Sequence, residues 1–169
     1  MDSGLRNGWG LGRMGAMKRA WMAMWAGAMV LAGCGGNPDP LVVKQYTLRD
    51  ATLPSMDDPM VRGEVLHRLY GAVSWSERLD RLGQYFTVLW SERQGVGEPV
   101  RVVFEYQQAA SGDKVKRQFQ QFAPGELEGK AEFKVIGEDF RKNGRVLAWR
   151  ISLWRGKKMV AREQSYLWE

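Results

Sequence analysis

The strongest constraint on the fold is an alternation of apolar and polar residues in the second half of the chain. In VRVVFEY, residues 100–106, the even-numbered positions from Val100 to Tyr106 are all apolar, and Arg101 and Glu105 stand between them. Successive side chains of a β-strand point to opposite faces, so this spacing places the apolar residues on one face of a strand. The chain is therefore expected to be built mainly from strands with one buried face.

Turn residues divide this alternating region into short segments. Ser111-Gly112-Asp113, Asn143-Gly144 and Arg155-Gly156-Lys157 each separate two runs, and Asn-Gly in particular predicts a hairpin. After that hairpin, one face of the next strand is expected to hold Leu147, Trp149, Ile151 and Leu153. The predicted strands cover residues 41–50, 85–90, 100–106, 114–122, 131–135 and 147–153, with a last strand that ends at Trp168. Six or seven short strands at this spacing favour a mainly β fold, an antiparallel β-sandwich of immunoglobulin-like character.

One or two short helices are expected between the first strand and the alternating region. Asp57-Asp58-Pro59 supplies a capping carboxylate and a proline for the first turn, and an apolar stripe from Val61 to Leu69 continues this helix to about Tyr70. Ser74 and Glu77 form a capping box ahead of a second helix that stops at Gly83. The alternative fold is α+β, in which the helices pack on one curved antiparallel sheet.

The first 33 residues have the composition of an export signal. Four basic residues and one acidic residue precede or flank an uncharged run of fourteen residues, Ala20 to Gly33. A membrane-spanning helix needs about 20 apolar residues, so this run is too short to cross a bilayer. A basic flank, a short apolar core and small residues at its end are typical of a cleaved signal peptide. Met1, Met14 and Met17 are alternative starts for it.

The uncharged run ends in Leu31-Ala32-Gly33-Cys34, which resembles the lipobox of bacterial lipoprotein signal sequences at all four positions. In those proteins the Cys thiol is acylated and the Cys becomes the new N-terminus. The resemblance covers the leader only. It implies cleavage before Cys34 and acyl chains, palmitate among them, that hold the domain on a membrane, because each buried methylene contributes about 0.8 kcal/mol.

Cleavage before Cys34 would leave 136 residues of nearly balanced charge, with 21 basic and 18 acidic residues. The net charge falls from +6 to +3, which removes most of the case for a nucleic-acid partner. The expected organisation is a signal peptide at 1–33, the acylated Cys and a flexible tether at 34–42, a strand and short helices at 43–83, and an antiparallel β domain at 84–169. Since Gly35 rather than Asp follows the Cys, the resemblance also implies the outer membrane, facing the periplasm.

The sequence predicts no catalytic site, cofactor or metal. One His and one Cys are too few for the usual zinc sites. His67 is expected on the solvent side of the first helix, away from its apolar stripe. Three acidic pairs fit helix caps or loop charges, although such pairs can also serve glycoside hydrolysis. These pairs are Asp57/Asp58, Glu126/Glu128 and Glu138/Asp139.

Residues near the last predicted strands are candidates for contact with a partner. Trp149 and Trp154 fall on opposite faces of one strand, so Trp154 is either covered by another element or exposed to a partner. Basic residues crowd the same region, where they either bind anionic groups or keep edge strands from pairing. The candidate partner-binding residues are Trp154, Trp168, Arg155, Lys157 and Lys158.

Three functions are compatible with these features. The favoured one is a non-enzymatic, membrane-anchored envelope lipoprotein whose β domain binds or scaffolds an envelope protein. The alternative is an accessory lipoprotein of an envelope transporter or lipid-trafficking complex, because Tyr46-Thr47-Leu48 resembles the Y-x-L opening of ABC-type auxiliary lipoproteins. The third is a hydrolase that uses an acidic pair.

Overall fold

The structure is a computed structural model that describes residues 39–52, 58–94 and 97–169. The predicted signal peptide, its cleavage motif and Cys34 lie outside these residues. The strands are β1 (Leu41–Leu48), β2 (Gly83–Ser91), β3 (Val100–Gln108), β4 (Lys116–Phe122), β5 (Glu128–Ile136), β6 (Val146–Arg155) and β7 (Lys158–Gln164). The helices are α1 (Pro59–Leu69), α2 (Trp75–Asp80) and α3 (Gly137–Asn143).

The strands form two antiparallel sheets, which confirms the predicted β-sandwich. One sheet has the order β1-β2-β5 and the other the order β4-β3-β6-β7. The connections β2–β3, β4–β5 and β5–β6 each cross from one sheet to the other, as in immunoglobulin-like sandwiches. In the constant-type arrangement the fourth strand joins the sheet of the first two strands, whereas here β4 pairs with β3.

The inner faces of the two sheets meet in one apolar core. Phe86 from the three-stranded sheet and Phe104 from the four-stranded sheet are fully buried, with their ring centroids 4.6 Å apart. Val102, Ile151 and Leu153 are also fully buried in this core. Each such side chain contributes about 1.5–3 kcal/mol when it leaves water, so burial of the alternating apolar positions is a large favourable term in folding.

Helix α1 packs on the outer face of the three-stranded sheet. Its Val65 and Leu69 form a second apolar cluster with Leu48 of β1 and Tyr85 of β2. The Asp58 carboxylate caps the helix by accepting from the Met60 backbone N–H at 2.8 Å. The stripe and the cap predicted for this helix are therefore confirmed, and so is the capping box that begins α2.

The predicted hairpin at Asn143-Gly144 is wrong. The chain leaves β5 through α3, a seven-residue helix. Gly144 is the C-cap residue that ends this helix, and its φ is 77°. Its backbone N–H donates to the Phe140 carbonyl at 2.9 Å. A glycine with positive φ serves a helix end as well as it serves a hairpin turn. Strands β5 and β6 consequently lie in different sheets.

Two further strand predictions need correction. The pairing of β3 with β6 slips between Gln107 and Gln108, so Leu147 turns outward instead of sharing a face with Trp149. The last strand ends at Gln164 rather than Trp168. The residues after it form a turn in which the Trp168 backbone N–H donates to the Ser165 carbonyl.

Residues 39–169 form one compact unit. Strand β1 pairs with β2 along its whole length, from Leu41 opposite Trp90 to Leu48 opposite Gly83. The predicted division at residue 84 therefore separates two strands of the same sheet. The predicted tether also ends earlier than expected, since β1 begins at Leu41.

Side chains close the seams between the two sheets. On one side, Gln118 of β4 donates to the Lys134 carbonyl of β5 at 3.1 Å, and Gln120 accepts from the Glu132 backbone N–H at 3.1 Å. On the other side, burial raises the pKa of the Glu163 carboxyl of β7, and the nearby Val43 backbone N–H of β1 opposes the rise. Some backbone N–H and C=O groups at the edges of the three-stranded sheet are thus already in contact with side chains, which makes them less available to pair with another strand.

Candidate functional site

The outer face of the four-stranded sheet carries a groove of about 560 Å³. We call it the outer groove. Its lining comes from all four strands of that sheet, and includes Arg101 and Glu105 (β3), Arg117 (β4), Arg150 and Trp154 (β6), and Arg162 (β7). On β3 and β6 these residues alternate with buried ones such as Phe104 and Ile151, so they lie on the side of the sheet away from the core.

Glu105 forms the floor of the outer groove, and its side chain is 7% exposed. It lies directly opposite Arg117 on one neighbouring strand and Arg150 on the other. Arg117 donates from Nε to Glu105 Oε1 at 3.1 Å, and Arg150 donates from Nε to Oε2 at 2.9 Å. A second N–H of each guanidinium reaches the same oxygen. One carboxylate therefore fixes the position of two arginines.

This arrangement lowers the pKa of Glu105. Burial alone would raise the pKa of its carboxyl, but the hydrogen bonds and positive charges of Arg117 and Arg150 outweigh burial. The charged form is thus stabilised in the folded chain. That stabilisation is present above the unfolded-state pKa of about 4.3 and is lost as the pH falls through the lower folded-state pKa.

Replacing Glu105 by Gln is expected to lower the free energy of unfolding by about 1–2 kcal/mol at pH 7, because the two guanidinium groups lose a charged acceptor and Arg117 is partly solvated. The difference in free energy of unfolding between the unaltered protein and the Glu105→Gln variant should shrink as the pH falls from 5 to 3. Urea unfolding at several pH values measures it. Glu138→Gln is the control, since the Glu138–Lys142 pair is exposed and should change stability little. A difference that does not depend on pH would contradict this role of the Glu105 charge.

Trp154 lies on the same face as Glu105 and faces outward, as the alternation requires. Its indole Nε1 donates to the Ser152 hydroxyl at 2.9 Å, which holds the ring along its own strand. Arg101 on β3 is its cross-strand neighbour, and Met159 lies opposite on β7 at a bulge. Trp149, by contrast, faces the core and meets the Phe86 ring edge-on at 5.9 Å. The predicted opposite orientation of these two tryptophans is confirmed.

The outer groove has an excess of positive charge. Arg101, Lys157 and Arg162 form no ion pair within the part of the chain that the structure describes. Arg117 and Arg150 share the single carboxylate of Glu105. Five cations thus face one anion along the lining. Such a surface attracts anionic groups, and the low polarity of the neighbouring indole strengthens that attraction.

The structure separates the predicted partner-binding residues. Trp154 and Lys157 line the outer groove, and Lys158 is exposed at the start of β7. Trp168 is half-buried beneath Arg150, whose guanidinium carbon lies 5.0 Å from the centre of the indole ring. Arg155 is not available to a partner: it is 3% exposed, so its assignment to the basic surface is wrong.

Arg155 instead joins two connections at one end of the sandwich through three backbone carbonyls. Its guanidinium donates to the carbonyls of Glu98, Glu92 and Glu126 at 3.0, 3.0 and 2.9 Å. Charged donors make stronger hydrogen bonds to carbonyls than neutral donors do. This buried arginine therefore holds the β2–β3 and β4–β5 connections against the end of β6.

The sequence prediction missed Arg101, Glu105 and Arg117 as members of the site. The only local signal was their place at the polar positions of alternating strands. Glu105 contacts Arg117 and Arg150, which are 12 and 45 residues away in the sequence, so only the strand pairing brings these three charges together.

Four of the six acidic residues considered for hydrolysis have structural contacts. Glu126 accepts from the Ala123 backbone N–H, and Glu138 pairs with Lys142. Asp139 binds Lys116 and the Asn143 amide. Asp58 caps α1, while Asp57 lies outside the described residues. His67 is exposed, as predicted.

Tyr46, the first residue of the Y-x-L segment, packs beside the cluster beneath α1. Burial raises the pKa of its phenol, the charge of Glu64 raises it further, and Arg68 opposes both. The nearby Arg68 guanidinium also lies over the Tyr85 ring, 4.5 Å from its centre. The position of Tyr46 is thus explained by packing between β1 and α1.

No helix in the described ranges is both long enough and apolar enough to cross a membrane. Within the same ranges, no three His, Cys, Asp or Glu side chains lie together as metal ligands would.

Comparison with known proteins gives no relative: no family model, no curated protein and no solved structure matches the chain.

Proposed function

We propose that the protein is a bacterial envelope lipoprotein whose β-sandwich binds a partner protein through the outer groove and catalyses no reaction. The observation that carries the binding function is the composition of the groove, whose lining holds five cations, a fixed indole and one buried carboxylate. Interfaces of this kind are enriched in arginine and tryptophan, the residues that contribute most to binding energy.

The membrane anchor is supported by the leader. A basic flank, a short apolar run and the Leu31-Ala32-Gly33-Cys34 motif precede a Gly/Pro-rich tether, GGNPDP. Acyl chains on Cys34 would hold the sandwich on the membrane. The proposed location is the outer membrane, with the sandwich facing the periplasm. A tethered domain needs only a binding surface to gather or position another envelope protein.

Binding through a sheet face fits this sandwich better than binding through an edge of the three-stranded sheet. Gln118 and Gln120 already engage the free edge of β5, and the Glu163 carboxyl lies near the Val43 N–H of β1. Addition of a partner strand at these edges would have to displace those contacts. The outer face of the four-stranded sheet is open and requires no such exchange.

Photo-crosslinking in intact cells tests which face contacts the partner. A photo-reactive amino acid in place of Met159, which is 46% exposed in the outer groove, is expected to give a discrete adduct with an envelope protein. Leu89 is the matched control position, because it is 39% exposed on the outer face of the other sheet. Adducts that form equally from both positions, or mainly from position 89, would contradict binding through the groove.

A further inference from the structure

We propose that the occupant of the outer groove is an extended acidic peptide segment of the partner, with apolar residues between its acidic ones. This inference rests on the proposed binding function and specifies the chemistry of its ligand. Recognition of acidic motifs by arginine clusters is a recurrent mode of peptide binding.

The spacing of the cations favours a ligand with several anionic groups over a single small anion. Arg101 is on β3 and Arg162 is on β7, with β6 between them. Neighbouring strands lie about 4.8 Å apart, so the two backbone positions are separated by about 10 Å across the sheet. Arg117 extends the positive charge to β4 on the other side of β3. A ligand that meets all three therefore needs several anionic groups along an extended chain.

An extended peptide has the required reach. Its residues advance by about 3.3 Å each, so acidic side chains four residues apart lie on the same face and are separated by about 13 Å. Arg101 and Arg162 are two strands apart across the sheet and are also offset by two residues along it, which gives a comparable separation.

Donors remain available on the two arginines that Glu105 holds. Each guanidinium has five N–H groups, and the contacts with Glu105 use Nε and Nη2 of both Arg117 and Arg150. The remaining N–H groups can bind a ligand carboxylate. Because Glu105 has already fixed both side chains, little side-chain entropy is lost when they bind.

Apolar groups on the same face favour a peptide over other polyanions. Trp154, Val103 and Met159 line the outer groove between the cations. Phe119, the cross-strand partner of Val103, is 65% exposed beside them. A nucleic acid or polyphosphate has no aliphatic side chains to cover these positions. An extended peptide whose acidic and apolar residues take turns at every second position carries both on one face, and so covers both kinds of group at once.

The test uses the processed, detergent-solubilised lipoprotein and a fluorescent ten-residue peptide that has Glu and Leu in turn at every second position and Ser between them, so that Glu and Leu share one face of the extended chain. Fluorescence anisotropy is expected to show binding that weakens as salt is added, and no binding of the matched peptide with Gln in place of Glu. Reversing two groove charges, Arg101→Glu with Arg162→Glu, is expected to weaken binding at least tenfold. Trp154→Ala is expected to weaken binding several-fold without changing its salt dependence.

The matched control is Lys44→Glu with Lys134→Glu, which makes the same change of charge with exposed residues of the other sheet. This variant should alter binding less than twofold. An equal loss in both double variants would overturn the proposal, because it would show attraction to net charge alone. Tighter binding of a DNA oligomer, or of anionic phosphatidylglycerol vesicles that displace the peptide, would also overturn it.

The crosslinking experiment separates this inference from the proposed function. If the acidic peptide does not bind but position 159 still gives an adduct in cells, the ligand chemistry is wrong and the groove remains the binding surface. If the peptide does not bind and position 159 gives no adduct, both the inference and the proposed function are wrong.

Discussion

Replacing Arg155 by Met is expected to lower the free energy of unfolding by about 2–4 kcal/mol. The substitution keeps much of the side-chain volume and removes the donors that reach the carbonyls of Glu98, Glu92 and Glu126. A buried acceptor that loses its donor costs about 1–3 kcal/mol, and changes of this size come from a short list of such mechanisms. Urea unfolding followed by circular dichroism measures the effect.

Arg155→Lys and Lys158→Met complete the test of this role. A lysine ammonium is a compact charge and cannot reproduce the fork of the guanidinium, so Arg155→Lys should recover only part of the loss. Lys158 is exposed near the same turn, and its replacement should change stability by less than about 0.5 kcal/mol. A loss below 1 kcal/mol in Arg155→Met would show that water or other groups satisfy the three carbonyls.

The strands were predictable because their signal is local. The alternation in residues 100–106 marks β3 to within two residues of its observed end, and the Asp58 cap and apolar stripe mark α1 in the same way. Burial of one face fixes which side chains point inward, so the core members Val102 and Phe104 follow directly from the spacing.

The site was not predictable because it depends on pairing between distant segments. Nothing near Glu105 indicates that Arg117 and Arg150 will become its neighbours on either side. Arg155 and Lys157 look alike in the sequence, yet a difference of two residues buries one and exposes the other. Helix α3 also lacks a local signal, because seven residues are too few to show a helical period.

Replacing Cys34 by Ser is expected to move the protein from the membrane fraction to the soluble fraction. The thiol is the acceptor for the acyl chains, and a serine hydroxyl in its place would not form the thioether. The proposed attachment comes from these chains alone, at about 0.8 kcal/mol for each buried methylene, so the variant loses all of it. Gly36→Ser is the control, since it changes the tether but leaves the Leu31-Ala32-Gly33-Cys34 motif intact.

The intact mass of the native protein, measured beside the fractionation of the Cys34→Ser variant, tests the central claim most directly. We expect a chain that starts at Cys34 and carries acyl groups, and a variant that leaves the membrane. A native protein that keeps its leader, and that fractionates identically with and without the thiol, would contradict the anchor, the proposed location and the role of a membrane-tethered binding domain.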